Sequence, residues 1–196
     1  MRTRRKKVPD PVVFDAIVRV MMRVGPDELT LAAIAAEAGL TAGALVQRFG
    51  SKRALMVAHA RYVATTGDVG LKPVAPRSGS ALEALRRSIE PFVQLAASPE
   101  LALRSLAYLQ RDLADPALHG HLLETSRLAR RHYQRLIADA VAERSLRAGT
   151  PGPKLARAIE AVLIGSFVNW TIYRQGSAAK WIRKDFEAVL ERYRTT

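Results

Sequence analysis

The chain has 196 residues, 48% of them hydrophobic and 25% charged, so it is long enough to bury a core as one or two globular domains. It has no cysteine, which excludes disulfides, thiol catalysis and cysteine metal sites. The longest unbroken apolar runs fall far short of a membrane span, and the basic N-terminus has no apolar segment behind it, so we expect a cytoplasmic protein without a secretory signal.

The formal net charge is +13, which predicts a polyanionic partner such as nucleic acid. Five of the first seven residues are Lys or Arg. This segment is either a solvated tail or an arm that contacts DNA phosphates or enters a minor groove. In the second case the contacting residues are predicted to be Arg4, Arg5 and Lys6.

Helical signals run along the whole chain, and no alternation of period two persists, so we predict an all-α fold with about nine helices. Asp10 and Pro11 predict the cap and first residue of a helix that ends at Gly25 and Pro26. Three further helices, over residues 31–38, 42–49 and 52–63, are preceded by hydroxyl residues that can cap them. These caps are Thr30, Thr41 and Ser51.

Residues 67–79 are rich in glycine and proline and have no hydrophobic period, which predicts a linker. We therefore expect two domains, residues 1–66 and residues 67–196. In the second domain, Ser80 to Glu83 forms a capping box, and Pro91 should kink or split the fifth helix. The remaining four helices are expected at about 99–114, 116–148, 153–174 and 177–193.

The stretch AEAGLTAGAL, residues 36–45, interrupts an alanine-rich helix with two glycines. Gly39 lies where a positive φ would end one helix, and Thr41 can cap the next. This spacing is that of a helix-turn-helix unit, whose second helix enters the DNA major groove. Gly43 would then let a helix amide approach a phosphate closely. The alternative is a compact helical hairpin in another all-α protein.

Residues 30–52, TLAAIAAEAGLTAGALVQRFGSK, resemble the DNA-binding domain of the TetR family of transcriptional repressors. The resemblance covers roughly the first third of the chain; the remainder is similar only in its layout of helices. It implies a ligand-responsive homodimer that binds palindromic, double-stranded operator DNA and releases it when a small molecule enters the second domain. It further implies repression of transcription, through a helix-turn-helix domain that responds to ligand binding.

The resemblance also implies site residues. Thr30 matches a phosphate contact, Thr41, Ala42 and Gly43 match the start of the recognition helix, and Lys52 matches a backbone contact. Val46 departs from the family pattern, since it stands where a tyrosine usually contacts phosphate. Two residues beyond it have side chains that read bases or bind phosphates, Gln pairing with adenine and Arg with guanine. They are Gln47 and Arg48.

The last two predicted helices, about 153–193, are strongly apolar. They are either a central core helix with a C-terminal lid or, as the resemblance implies, a homodimer interface. A ligand pocket is expected among the preceding helices, although aromatic residues on apolar faces are more often simply core. Its predicted lining is Phe92, Leu95, Tyr108, Asp112, His121, Tyr133, Asn169 and Trp170.

Other classes of function are disfavoured. His121 and Glu124 are spaced to share a metal ion, but no third ligand is evident, so we predict no metal and no cofactor. No motif of a hydrolase, nucleotide-binding enzyme or di-iron bundle is present, so we predict no enzymatic activity. A non-sequence-specific DNA-coating protein would suit the positive charge but not the apolar second domain.

Overall fold

The computed structural model describes residues 8–67 and 79–195, and over these residues the chain is helical, without a named strand. The predicted all-α fold is confirmed. Ten helices lie in the described ranges, because the predicted fifth helix is divided at Pro91 into two short ones. Their bounds are α1 Asp10–Met21, α2 Leu31–Glu37, α3 Ala42–Phe49, α4 Lys52–Thr66, α5 Ala81–Arg87, α6 Glu90–Gln94, α7 Pro99–Ala114, α8 Pro116–Ala142, α9 Gly152–Tyr173 and α10 Ala178–Glu191.

Three predicted helix boundaries are wrong. The cap of α1 is Pro9, and Asp10 is already helical, with its carboxylate paired with Arg48. The same helix ends at Met21, before the predicted end at Gly25 and Pro26. The predicted helix that was expected to reach residue 148 ends as α8 at Ala142. There the backbone turns through Arg144, whose φ is 60°, and the amides of Ser145 and Leu146 both donate to the carbonyl of Ala140.

The chain forms two compact units. The first comprises residues 1–70 and 106–123, so it contains α1 to α4, the end of α7 and the start of α8. The second comprises residues 71–105 and 124–196. The division into domains at residue 66 stays a prediction; within the structure, α7 and α8 each contribute residues to both units.

In the first unit, fully buried aliphatic side chains from α1 to α4 form one core. Phe14 lies at the centre of an aromatic cluster, its ring centroid 5.0 Å from that of Tyr62 and 5.7 Å from that of His59. On α7, the Tyr108 hydroxyl donates to the carbonyl of Val24 at 3.0 Å. The fully buried residues of this core include Val13, Ile17, Leu29, Ile34, Leu45 and Leu55.

In the second unit, α9 packs along α10, and α6 also contacts α10. Two ion pairs fix α10 to the short helices, Arg86 with Glu187 and Arg183 with Glu90. The unit's buried core includes Leu85, Ile89, Ile137, Leu155, Ile159, Ile182 and Phe186. Within the described residues, α9 alone has the length and composition to cross a membrane, which is weak evidence because a soluble core helix passes the same test.

Candidate nucleic-acid interface

The turn between α2 and α3 is closed by backbone hydrogen bonds at Gly39. Its φ is +67°, and its amide donates to the carbonyl of Ala36 at 3.2 Å. The amide of Leu40 donates to the carbonyl of Ala35 at 2.8 Å, so the end of α2 is a Schellman motif. A residue with a Cβ would be strained at this φ, so glycine fixes the angle at which α3 leaves α2.

Three hydroxyl side chains cap the helices around this turn, as the sequence predicts. Thr30 Oγ1 accepts from the amide of Ala33 at 3.1 Å, and Thr41 Oγ1 accepts from Ala44 at 3.2 Å. Ser51 Oγ accepts from the amide of the third residue of α4 at 3.1 Å. Each cap leaves other amides of the first turn facing outward, where the partial positive charge of a helix N-terminus favours a phosphate.

The outward side of α3 is small and uncharged. Leu45 is fully buried, whereas Thr41, Gly43, Val46 and Gln47 are exposed. A Cβ added at Gly43 would meet no atom within 4 Å, so no described part of the protein requires glycine there. From residue 38 to residue 52 the chain has no Asp or Glu, so α3 itself carries no charge that repels a phosphate backbone.

Lys52 and Thr30 are brought together by a hydrogen bond across the unit. The Lys52 ammonium donates to the carbonyl of Leu29 at 2.9 Å, and Leu29 directly precedes Thr30. An ammonium has three hydrogens, so this bond leaves others for a second acceptor. Two residues that were predicted to contact DNA backbone therefore lie on the same side of the unit, at the starts of α4 and α2.

Arg48 faces a different direction from Gln47. One of its amino groups donates to the carbonyl of Val8 at 2.6 Å, and the other pairs with the carboxylate of Asp10. Its side chain is 23% exposed. The predicted base or phosphate contact by Arg48 stays a prediction, and it would require the guanidinium to leave these two partners. Arg4, Arg5 and Lys6 lie outside the described residues.

Several ion pairs of the first unit have no signal in the local sequence. Glu37 accepts hydrogen bonds from Arg19 and Arg23 at 2.6 and 2.5 Å, and these bonds lower the pKa of its carboxyl. Arg53 binds Asp115 through two bonds of 2.7 and 2.9 Å. These residues are 62 positions apart, so only the folded structure shows that they meet.

Asp115 has two roles at the start of α8. Its carboxylate accepts from the amides of Ala117 and Leu118 and so caps α8, and it also holds Arg53. The hydrogen bond from Arg53 is the main cause that lowers the pKa of this carboxyl. The start of α4, which carries Lys52, is thereby fixed to the α7–α8 corner within one unit.

The eight residues predicted to line a ligand pocket are divided between the two units. Tyr108, Asp112 and His121 belong to the first unit; the Tyr108 hydroxyl is bound to a carbonyl, and Asp112 pairs with its neighbour Arg111. The other five belong to the second unit. They are Phe92, Leu95, Tyr133, Asn169 and Trp170.

Within the second unit these five residues have different environments. Phe92 meets Phe167 edge to face with ring centroids 5.3 Å apart, a partner that the prediction missed. Trp170 is buried and donates to the carbonyl of Gly176 at 3.3 Å, whereas Asn169 is exposed. Tyr133 is buried, which raises the pKa of its hydroxyl to about 12 and keeps it neutral.

A shallow depression of about 270 Å³ lies at the start of α10. None of the eight predicted residues lines it. The described residues contain no group of three His, Cys, Asp or Glu side chains arranged to hold a metal ion. The lining of the depression is Gln175, Gly176, Ser177, Lys180, Trp181, Lys184 and Asp185.

One side of α9 presents apolar side chains to solvent. Ile164 is 48% exposed and Ile172 is 69% exposed, with Ala161 and the half-buried Val168 on the same side at helical spacing. The opposite side of α9 is buried, and there Ser166 donates to Asp185 of α10 at 2.6 Å. The helix therefore has one apolar side packed within the unit and a second without a described neighbour.

The comparisons with known proteins agree with these observations. A model of the family described as bacterial regulatory proteins, tetR family, matches residues 13–58. No curated protein matches the chain. Among solved structures, a TetR transcription regulator from Haloarcula marismortui aligns over 95% of this chain and 98% of its own, with a TM-score of 0.72 and 14% identity.

Two further solved structures have the same fold. The transcriptional regulator FadR from Bacillus subtilis, in complex with stearoyl-CoA, aligns over 93% of this chain and 98% of its own, with a TM-score of 0.65 and 15% identity. SmeT, the repressor of the Stenotrophomonas maltophilia multidrug efflux pump SmeDEF, aligns over 96% of this chain and 92% of its own, with a TM-score of 0.63 and 18% identity.

Proposed function

We propose that the chain is a dimeric repressor of the TetR family, which binds a palindromic operator and leaves it when a small molecule binds. The match of residues 13–58 to the family model and the shared fold support this proposal. The observation that carries the proposal is the exposed side of α3. This surface has no acidic residue, begins at a capped N-terminus, and is held at a fixed angle to α2 by Gly39. These features suit a helix that enters a major groove.

The contacts to the DNA backbone are assigned to the helix starts. Thr30, Thr41 and Lys52 meet phosphates, supported by the capped amides beside them and by the Lys52 ammonium. Ala42 and Gly43 allow the first turn of α3 to come close, since neither has a long side chain. Val46 does not replace the phosphate contact that tyrosine supplies in the family pattern, because it has no hydrogen-bonding group.

Base reading is assigned first to Gln47. It is exposed on α3, and its amide is able to bond both edge positions of an adenine in the major groove. Arg4, Arg5 and Lys6 are proposed to contact phosphates or the adjacent minor groove, on the strength of their charge. Because Gln47 is the one exposed side chain of α3 to which base contacts are assigned, we expect the basic N-terminal residues to contribute much of the affinity.

The homodimer is proposed to form through α9 and α10, about residues 153–193. The support is the apolar side of α9, where Ile164 and Ile172 are both about half exposed or more. A two-fold interface places the same stripe of both copies together, which removes this area from water. Two copies also provide the two recognition helices that a palindromic site requires.

The effector is proposed to be a small molecule held in the part of the chain that follows α4. Phe92, Leu95, Tyr133 and Trp170 offer an apolar lining, and Asn169 a polar group. Tyr108, Asp112 and His121, which the sequence also predicts for the pocket, belong to the first unit and are left out of this set. A Bacillus subtilis regulator of the same fold holds stearoyl-CoA, which shows that this architecture accommodates a ligand. Binding would shift the population away from the DNA-binding state.

The test is selection from a pool of random DNA duplexes by the full-length protein at physiological salt. The proposal predicts a palindromic consensus that is bound about 1000-fold more tightly than random DNA. A protein that merely coats DNA would enrich no sequence, and its binding would collapse as salt is raised. That outcome would contradict the proposed repressor and favour a non-sequence-specific DNA-coating protein, a second candidate that the charge of +13 supports.

Release by a ligand needs its own experiment. Mass spectrometry of the protein purified from its native host identifies a co-purified small molecule, which is then added at saturation to the protein on its selected duplex. The proposal predicts a loss of operator affinity of about 5- to 150-fold, the usual range of allosteric coupling. An unchanged affinity would leave a DNA-binding protein without ligand control.

A further inference from the structure

Asp115 lies between the last residue of α7 and the first residue of α8, and both of its carboxylate oxygens accept hydrogen bonds. Oδ2 accepts from Arg53 Nε at 2.7 Å. Oδ1 accepts from an amino group of Arg53 at 2.9 Å, and from the amides of Ala117 and Leu118 at 2.9 and 3.4 Å. The guanidinium of Arg53 is therefore bound to a carboxylate that the backbone of α8 already holds in one position.

The parts of α7 and α8 on either side of Asp115 are anchored in the core of the first unit. Leu118 is buried in that core. Tyr108 is buried there too, and its hydroxyl donates to the carbonyl of Val24 at 3.0 Å. All of these residues belong to the same compact unit as α4. Asp115 is thus a fixed point to which Arg53 attaches the start of α4.

The first turn of α4 has two other attachments, which constrain it differently. Ser51 caps the helix, and Lys52 donates to the carbonyl of Leu29 at 2.9 Å. The cap acts within the helix itself, and an ammonium is a point donor that bonds in many directions. The planar guanidinium of Arg53 instead meets both oxygens of Asp115, which fixes direction as well as distance. This pair therefore orients the turn that carries Lys52.

The pair between Arg53 and Asp115 is too exposed to contribute much to stability. The side chain of Arg53 is 64% exposed and that of Asp115 is 20% exposed. Water and salt screen such a pair, and its net contribution to folding is small. Its effect is therefore expected on the position of α4 rather than on the free energy of unfolding.

We propose that Arg53 and Asp115 are positioning residues for DNA binding, which orient the first turn of α4 so that the Lys52 ammonium reaches a backbone phosphate. The inference rests on the proposed function, in which Lys52 and Thr30 contact the DNA backbone. The alternative is that Arg53 leaves Asp115 and binds a phosphate itself. That exchange would leave a carboxylate without its cation near a polyanion, which like-charge repulsion disfavours.

The experiment measures the affinity of full-length variants for the duplex that the wild-type protein selects, over a range of salt concentrations. Arg53→Lys keeps the positive charge but loses the two-bond geometry. Asp115→Asn removes the negative charge but keeps an oxygen that caps α8. A third variant combines both changes. Thermal unfolding at the same pH checks that each variant is folded.

Two control variants are matched to these changes. Arg61→Lys makes the same substitution at another exposed arginine of α4. Asp27→Asn removes an exposed acidic residue of the same unit, so it measures how much the loss of one negative charge tightens DNA binding by itself. Each control is expected to change the affinity by less than about twofold.

Positioning and direct contact predict different results. If the pair positions α4, Arg53→Lys and Asp115→Asn should each weaken binding about fivefold, and the combination should be within about twofold of either, because all three lose the same geometry. If Arg53 binds a phosphate directly, Arg53→Lys keeps most of the contact, and Asp115→Asn tightens binding because it releases the guanidinium.

A second readout connects the pair to Lys52. In the wild-type background, Lys52→Ala should weaken binding about tenfold and reduce the salt slope by about 1, as expected for one lost phosphate contact. In the Asp115→Asn background the same change should weaken binding less than about twofold and leave the slope unchanged. Gln47→Ala on α3 is the control, and its loss of affinity should be the same in both backgrounds.

Two outcomes would overturn the inference alone. One is a loss from Lys52→Ala that is equal with and without Asp115→Asn, which would mean that the pair does not orient Lys52. The other is binding by Asp115→Asn that is as tight as that of Asp27→Asn or tighter, which would mean that the pair is not needed for DNA binding. If the wild-type protein selects no duplex at all, the proposed function fails and this inference fails with it.

Discussion

The outward sides of α3 and α9 are both exposed, yet their chemistry is opposite. On α3 the exposed residues include Gly43 and Gln47, which are small or polar, and the helix itself has no acidic residue. On α9 they include Ile164 and Ile172, which are large and apolar. A small polar surface suits a groove lined by bases and phosphates, whereas a large apolar stripe suits another protein surface. This difference is the reason why we propose DNA as the partner of α3 and a second copy of the chain as the partner of α9.

The largest expected effect is on self-association. Ile172→Glu or Ile164→Glu places an unpaired carboxylate in the proposed interface twice, once per copy, and should weaken the dimer by about 1000-fold or more. Sedimentation equilibrium measures it. Leu103→Glu is the matched control, since Leu103 is also 48% exposed but lies on α7. A dimer that survives in both Ile variants would remove α9 from the interface.

The inward side of α3 provides the next contrast. Leu45 is fully buried and its neighbour Val46 is 46% exposed. Leu45→Ala should lower the free energy of unfolding by about 2–5 kcal/mol, through lost burial and the cavity left behind. Val46→Ala should change it by less than about 0.5 kcal/mol. Urea unfolding of the two variants measures both values, and comparable losses would mean that α3 is oriented differently.

Gly43 tests the outward side of the same helix. Gly43→Leu should leave the protein folded, because a Cβ there meets nothing within 4 Å, but should weaken binding to the selected duplex about 10- to 100-fold by keeping the helix away from phosphate. Gly120→Leu is the control, as that helical glycine of α8 is equally open. If the Gly43→Leu variant bound the duplex with normal affinity, Gly43 would not lie at the contact with DNA.

The smallest expected effect concerns acid stability in the first unit. Hydrogen bonding from Arg53 holds the pKa of Asp115 below its ordinary value of 3.8. The pair therefore stabilises the folded state fully above about pH 3.8, and this contribution is lost as the pH falls through the lower folded pKa. Asp115→Asn keeps the cap of α8 but loses the ion pair.

Urea midpoints of wild type and Asp115→Asn, measured from about pH 7 down to about pH 2.5, test this dependence. The difference in stability should be constant near neutral pH and shrink below about pH 4. A difference that is unchanged at the acid end would show that the ion pair contributes nothing to it.

In the first unit, the sequence predicts the turn between α2 and α3 but not the ion pairs, because only the turn depends on residues close together in the chain. Gly39 and the cap Thr41 act within four residues, so their pattern is visible in a short stretch. The bond from Arg53 to Asp115 closes over 62 residues, and the pairing of Arg48 with Asp10 depends on how α1 packs against α3. Those contacts form only on folding, so the local sequence does not indicate that Arg48 pairs with α1.

In the second unit, even more of the structure depends on contacts that the local sequence does not predict. The apolar character of α9 is evident in the sequence, and Pro91 correctly predicts the division of the fifth helix. The proposed ligand residues could not be grouped from the sequence, because an aromatic residue on an apolar face packs with partners such as Phe167 that only the tertiary structure defines. Residues 8–67 are defined by local signals, whereas the second unit depends on contacts between distant helices.

The most direct test of the account is the number of chains bound to one selected duplex. Sedimentation measures how many chains of the wild-type protein, and of the Ile172→Glu variant, bind to that duplex. The result tests the proposed DNA surface of α3 and the proposed dimer surface of α9 together. The account predicts two chains per palindromic site for the wild type and, for the variant, weak binding of single chains that still protect a half-site. A single wild-type chain bound tightly to the whole site would contradict it.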